Sequence, residues 1–475
     1  MREPLFFFDI SSLLLHLRNA NHFTGIQRVL INLAVSVSKK VGGEKVYLGY
    51  YDRSSGRYQV VSIADVGSDI VFSATSLAAA FGVGGKRSRT IRPLSRYRTR
   101  AAKYYFHRTK LDIAAFLGNQ KAFRKFSVTV REWKKIRSTQ NAAVKRKKIE
   151  RIYFDNIVQP GDNLIILDSS WDVEDTKDVF SAAKSLGVVV SVMIHDLIPL
   201  VTPELVPQKA PIIFHDWLVG SGEYTSKYLT NSNKSKIDLD HFLKCYNVKI
   251  PTAAVPLAQE GLGGLGIFPI SPEKIKSEAF PKLSEMIDID QHIRAAASHP
   301  YVLFVGTLEA RKNVWRIALA WEKLLETYGP TIPRLVLVGR TGWSNESFDN
   351  FVLGTSSLKG WIQQIKSPSD EELDFLYRNC EFGILVSLYE GWGLPVGEAL
   401  SYGKTSVVAN TTSLPEVGGD LVEYCDPTSV DSIFKACANL IFDIERRAIL
   451  EQKIVNTKLR SWDDVADELL EAVKA

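Results

Sequence analysis

The chain has few sulfur residues and no long apolar run. Its four cysteines, Cys245, Cys380, Cys425 and Cys437, stand far apart in 475 residues and show no metal or redox spacing. That excludes a disulfide scaffold and a zinc cluster, and reads as reduced thiols in a cytoplasmic protein. No stretch approaches the roughly 18 uninterrupted apolar residues of a membrane-spanning helix. The early apolar run LFFF from Leu5 is broken by Asp9 and reads as a strand, not a signal peptide. Acidic residues are scarce in one stretch: Lys86 to Arg151 holds 22 Lys or Arg against Asp112, Glu132 and Glu150, a net of +19. With +6 for the whole chain, the remainder carries −13.

At 475 residues, 45% of them hydrophobic, the chain has the composition of a globular protein and is too long for one ordinary core. The most informative stretch is EGWGLPVGEAL, Glu390 to Leu400. It follows the apolar run Phe382 to Ser387, long enough for one buried strand. Gly391 and Gly393 allow a sharp turn and a close backbone approach to a ligand. Pro395 suits the first turn of a helix, and the free N–H groups and dipole of such a start favour an anion. Glu390 and Glu398 bracket the turn. A phosphate cradle flanked by carboxylates suits a ligand carrying both phosphate and hydroxyls; the plainer reading is a strand–turn–helix whose Glu398 only complements the helix dipole.

Other parts of the chain repeat a strand–helix grammar. LFFFDI predicts a first buried strand, and the stretch from Ser11 a long, functional loop. From Ile26 the spacing predicts a helix that Thr24 and Gln27 start with a capping box. Arg28 sits in its first turn, where the dipole disfavours a cation; an anionic ligand or a surface carboxylate would compensate. Further strands are predicted at Lys45 to Asp52, Tyr58 to Asp65, Asn163 to Ser170 and Val188 to Leu200. His195-Asp196 ends the last of these, where open α/β sheets bind ligands. Asp196 either orients the imidazole or caps the next turn, while His215-Asp216 lies in a helical pattern and reads as structural. Gly- and Pro-rich sequence from Glu260 starts a linker reaching about Pro300. Strands at Tyr301 to Gly306, Leu335 to Gly339, Trp361 to Ile365, Phe382 to Ser387 and Ser406 to Ala409 predict a second doubly wound sheet. Arg311 and Lys312 follow its first strand and could hold a diphosphate.

The basic stretch is interleaved with aromatics such as Tyr104, Phe106, Phe116 and Trp133. It suits an anionic membrane surface, or a solvated helical hairpin, and lacks a nucleic-acid recognition motif.

The Glu390–Glu398 segment resembles the signature of the retaining, nucleotide-sugar-dependent glycosyltransferases of family 4. SLPEVGGDLVEYCDP (Ser413 to Pro427) is similar to the continuation of that signature, and FVGTLEARKN (Phe304 to Asn313) to its upstream strand and R-K-N segment. TGIQRV (Thr24 to Val29) resembles a T-G-[IV]-x-R-[VF] segment seen in many members of the family. The likeness is dense over the C-terminal half and thinner before it. It implies an α/β protein of GT-B fold: two Rossmann-like doubly wound domains facing a cleft, with the basic helical insertion in the first. The expected division is 1–285 for the acceptor, with 86–151 inserted, 286–460 for the nucleotide sugar, and a C-terminal helix, 461–475, crossing back to the first domain.

The resemblance further implies a retaining, metal-independent hexosyltransferase. Arg311, Lys312 and the helix start at Leu394 would stabilise the leaving diphosphate. Glu390 would hold the sugar hydroxyls, Glu398 the ribose, and His195 sugar or acceptor. Gly25, Gly339, Ile365, Lys366 and Gly393 would complete the donor site, and Arg28 and Asp196 the acceptor side. No cofactor beyond the donor is implied, and GDP-mannose is favoured. The implied acceptor is a lipid-diphosphate-linked saccharide of bacterial O-antigen or polysaccharide synthesis, at the inner face of the inner membrane. A non-catalytic sugar- or lipid-binding scaffold and a nucleotide-sugar epimerase remain alternatives.

Overall fold

The computed structural model describes residues 2–20, 22–67, 71, 73–83, 94, 97, 100–126, 130, 133, 149–169, 176–261 and 289–474. Among these the chain forms two sheets. The first has eight strands: β1 (Phe6–Asp9), β2 (Val46–Asp52), β3 (Arg57–Ser62), β4 (Ile152–Tyr153), β5 (Asn163–Ile166), β6 (Val189–Ile194), β7 (Lys227–Thr230) and β8 (Thr252–Ala254), in the order β4-β3-β2-β1-β5-β6-β7-β8. The second has six: β9 (Tyr301–Val305), β10 (Arg334–Val338), β11 (Ile362–Ile365), β12 (Gly383–Leu385), β13 (Ser406–Ala409) and β14 (Glu423–Cys425), in the order β11-β10-β9-β12-β13-β14.

Each sheet starts at its centre and grows outward on both sides. The resulting reversal of strand order places a crevice at the carboxyl ends of the strands. The central strands are buried on both faces, as a helix-covered parallel sheet requires. Phe6 and Phe8 of β1 enter one core and Phe7 another; in β9, Val302 and Phe304 face one core, Tyr301 and Leu303 another.

Some expectations differ from the structure. The first sheet is not parallel throughout, because β3 and β4 pair antiparallel at its edge. The basic stretch departs after β3 and returns at β4, and part of it lies outside the described residues. Residues 11–17 form a helix, not a loop; Leu13, Leu14 and Leu17 share a buried face at helical spacing. β4 and β14, of two and three residues, are too short for periodicity to reveal. The linker run 262–288, and with it the expected domain boundary, lies outside the described residues. Helix Gln291–Ala296 already buries Ile293 and Ala296 against the second sheet.

The halves meet along a closed seam. The C-terminal helix Trp462–Lys474 lies against helix Gly25–Val41, with Lys40 paired to Asp467 at 2.7 Å. Lys227 of β7 donates to the carbonyl of Ala472 at 2.6 Å. Trp343 donates its indole N–H to Leu205 O at 3.0 Å, and the Tyr389 hydroxyl donates to Asp238.

Candidate active site

The two sets of strand ends enclose a cleft of ≈ 1910 Å³. Its second-domain wall begins at β9. After the strand, Glu309 leads into a short turn holding Arg311 and Lys312. Asn313 then takes a left-handed backbone (φ 62°) and donates from its amide to the carbonyls of Val386 (3.0 Å) and Pro427 (2.7 Å). This explains the R-K-N order: the asparagine pins the two cations above β12.

Beyond β12 the Gly-rich turn enters helix Leu394–Ser401 through Gly393, whose φ of 117° suits only glycine. Ser413, from the SLPEV segment, is buried and donates to the carbonyls of Glu390 (2.9 Å) and Trp392 (3.0 Å). The downstream motif thus holds the upstream one in shape.

Glu390 is the electrostatic centre. Lys312 Nζ lies 2.5 Å from Oε1 and Arg311 Nη1 lies 2.9 Å from Oε2. Burial alone would raise this carboxyl; the Lys312 and Arg311 charges overcome that and hold it down at about 2. Burial pushes the Lys312 ammonium down against the pull of Glu390. Arg311 also reaches Glu309 Oε1 at 2.7 Å, and burial raises Glu309 against the pull of both cations. The four side chains make a neutral set of two cations and two carboxylates. A diphosphate arriving here would replace Glu390 as the partner of both cations.

Of the other donor-side expectations, Glu398 lines the cleft and accepts the Tyr377 hydroxyl at 2.6 Å. Gly339 follows β10 with φ 151°, and a Cβ there would lie 1.8 Å from Gly306 O, so only glycine lets these strand ends approach. Gly25, Gly393 and Leu394 line the cleft, and a Cβ on Gly25 would meet Leu394 Cδ1 at 3.4 Å. Ile365 and Lys366 sit differently: Ile365 is buried in the core, Lys366 is exposed, and at this strand end Ser367, Pro368 and Ser369 line the cleft. The polypeptide reaches the cleft only after leaving β11, so these two expected donor-site residues fall short of it.

On the first-domain wall, His195 Nε2 lies 2.7 Å from Leu167 O. A carbonyl only accepts, so the proton is on Nε2, and Nδ1 faces the Asn231 amide at 3.5 Å. Burial lowers the imidazole's pKa against the pull of Leu167 O, Asp196 and Asp168, which favours its neutral form. Asp196 Oδ1 accepts the N–H of Ile198 at 3.1 Å, which caps the next turn. Arg28 pairs with Asp370 across the cleft at 2.8 Å.

The sequence reading missed several residues here. Glu309 was hidden beside the Arg–Lys pair. Asp168 and Asn231 follow β5 and β7 and line the cleft; Asp168 Oδ2 and Asn231 Oδ1 are buried without a hydrogen-bond partner among the described residues. Two Asp-x-Asp spacings also went unread. Asp238 and Asp240 lie on helix Asn233–Cys245, paired at 2.5 and 2.6 Å with Lys234 and Lys236; Asp288 to Asp290 begins outside the described residues.

Comparison with known proteins agrees with this architecture. Residues 286–456 match the family described as Glycosyl transferases group 1. The O-antigen chain mannosyltransferase B of Escherichia coli is 34% identical over 175 residues, 37% of this chain and 45% of that protein. The MMP alpha-(1->4)-mannosyltransferase of Mycolicibacterium hassiacum is 36% identical over 92 residues, 19% of this chain and 22% of that protein. The chain thus spans less than half the length of these curated relatives. Anabaena HepE, solved in complex with UDP and glucose, superposes with a TM-score of 0.56 at 11% identity, covering 100% of both chains. Two α/β domains facing a cleft, superposable end to end on HepE, give this chain the GT-B fold.

Proposed function

We propose that the cleft transfers a hexosyl group, with mannose from GDP-mannose favoured, to a lipid-diphosphate-linked saccharide in bacterial surface polysaccharide synthesis. Transfer retains configuration and uses no metal. The observation that carries this reading is the convergence of Arg311, Lys312, Glu390 and the start of helix Leu394–Ser401 on one wall of the cleft.

The free state pairs both cations with Glu390. A donor diphosphate takes over those cations, and its charge, which grows as the sugar leaves, meets Arg311, Lys312 and the free N–H groups of the helix start. Glu390, released, holds hydroxyls of the sugar as that sugar gains positive charge. Glu398, 2.6 Å from the Tyr377 hydroxyl, takes the ribose hydroxyls. On the opposite wall His195, Asp168 and Asn231 line the cleft and face sugar or acceptor hydroxyls. In a front-face path a donor phosphate oxygen takes the acceptor proton, so no side chain acts as covalent nucleophile. Mannose is supported by the names of the two similar mannosyltransferases. The basic stretch supports a peripheral place at the inner face of the inner membrane.

The test is an assay with GDP-mannose, UDP-glucose and a synthetic lipid-diphosphate-linked saccharide, with and without EDTA, and NMR of the new anomeric centre. Mannosyl transfer with retained configuration that survives chelation is the expected result. An inverted product, or activity lost to EDTA and restored by a divalent ion, would overturn it.

A further inference from the structure

Helix Ala101–Phe116, in the insertion between β3 and β4, has two apolar faces. Tyr104, Leu111, Ala114 and Ala115 are buried with Leu94, Phe123 and Trp133 in a small core separate from those of both sheets. Trp133 fixes the packing by donating its indole N–H to Asp112 Oδ1 at 2.8 Å. The second face is open: Tyr105, Phe106, Ile113, Phe116 and Leu117 are 48, 65, 56, 87 and 70% exposed. At about 100° per residue these five fall within an arc of roughly 120°, opposite the buried face.

Lys103 and Lys110, both exposed, border the open stripe on one side; on the other stand half-buried Asp112, held by Trp133, and then Arg108, whose guanidinium is 5.1 Å from the Tyr105 ring. Lys121 and Lys125 of the following turn are exposed as well. A single exposed apolar residue needs no explanation, but five large ones on one arc, shared only with exposed Ala102 and Thr109, mark an interaction surface. Its occupant must accept aromatic and aliphatic side chains at the centre and cations at both edges. The surrounding stretch carries +19. The head-group boundary of an anionic bilayer has both properties.

We infer that the Tyr105–Leu117 stripe inserts into the boundary of an anionic membrane, with Lys103, Arg108 and Lys110 at the head groups. This rests on the membrane placement above and deepens it. The basic stretch supplies long-range attraction, and the stripe supplies a hydrophobic hold that salt does not screen. The small core keeps the helix formed before it docks, so little ordering is needed on binding.

The experiment is flotation of the full chain with vesicles of phosphatidylglycerol and phosphatidylethanolamine, and with phosphatidylcholine vesicles, at low and high salt. It is repeated for the F106S/I113S/F116S variant, whose exposed substitutions leave the small core intact; a thermal melt checks folding. Wild type should float with the anionic vesicles and stay partly bound at high salt. The variant should bind only at low salt, with a partition coefficient down by roughly 10²-fold at high salt. Equal partition of variant and wild type at every salt overturns the stripe, as does wild-type binding to neither vesicle. Lipid-free self-association that the variant abolishes would instead make the stripe a contact between copies. Donor turnover on a soluble acceptor is measured in parallel. Its failure, with floating intact, counts against the proposed reaction and leaves the stripe standing.

Discussion

Glu416 of the second domain caps a helix of the first. Its two carboxylate oxygens accept the N–H groups of Asn233 at 2.8 Å and Lys234 at 2.9 Å, at the start of helix Asn233–Cys245. The same residue belongs to the SLPEV segment whose Ser413 pins the Glu390 turn. Closure of the cleft and the shape of its anion site are therefore set by one stretch of chain.

Glu416→Ala should loosen that closure. It removes a carboxylate from a helix start, a loss of about 1 kcal/mol. The expected result is a small drop in melting temperature, a larger radius of gyration by small-angle scattering without donor, and a several-fold higher donor KM. An unchanged radius and KM would mean that the seam holds without Glu416.

Gly391→Ala tests the seam by overlap. A Cβ on Gly391 would lie 2.1 Å from the carbonyl of His195 in the other half. Since the clash is between halves, each should stay folded while the cleft cannot close. Transfer should fall by at least tenfold (about 1.4 kcal/mol), with little change in melting temperature. Normal activity would show that the catalytic geometry does not need this approach.

The two bracketing carboxylates should fail differently. On the proposed reading Glu398→Gln removes a ribose contact made alike before and during reaction, so it should mainly raise the donor KM. On the same reading Glu390→Gln touches the sugar that gains charge; it also leaves Arg311 and Lys312 less neutralised in the free state. Its loss should fall on kcat, by roughly 10²-fold. Steady-state kinetics at saturating acceptor decide; a kcat loss confined to Glu398→Gln would reverse the two roles.

Asp9, at the end of β1, gives a pH prediction. It accepts the hydroxyls of Ser11 and Tyr58, both at 2.7 Å, yet burial pushes its carboxyl up to about 6. The folded state thus holds this proton more tightly than the unfolded chain, where the value is about 3.9. Its contribution is favourable at low pH and is lost as pH rises from about 4 to about 6, by an order of 3 kcal/mol. Asp9→Asn removes that dependence. Its stability relative to wild type should rise between about pH 4 and pH 7, read from melts across that range. A constant cost of the amide leaves this slope unchanged, and a flat difference would show that Asp9 titrates normally.

Periodicity and local chemistry determine a good part of this protein before any folding is considered. The apolar run LFFF, the capping box in which Gln27 N donates to Thr24 Oγ1 at 3.3 Å, and the two glycines before Pro395 each need only neighbours in sequence. The choice of Glu390, Glu398, Arg311, Lys312 and His195 rested on the family resemblance as well, and all five line one cleft. What tertiary structure decided is which of them meet. Glu390 lies 78 positions from Lys312 and still forms its ion pair, because β12 and β9 are neighbours in the sheet. Arg28 finds Asp370 at a separation of 342, and Glu416 finds Asn233 at 183, only because two sheets face each other. Ile365 and Lys366, one turn of chain from the cleft, are left out by the direction in which β11 ends. A charge or a strand end can be read locally; its partner is set by distances that the chain's own spacing does not contain.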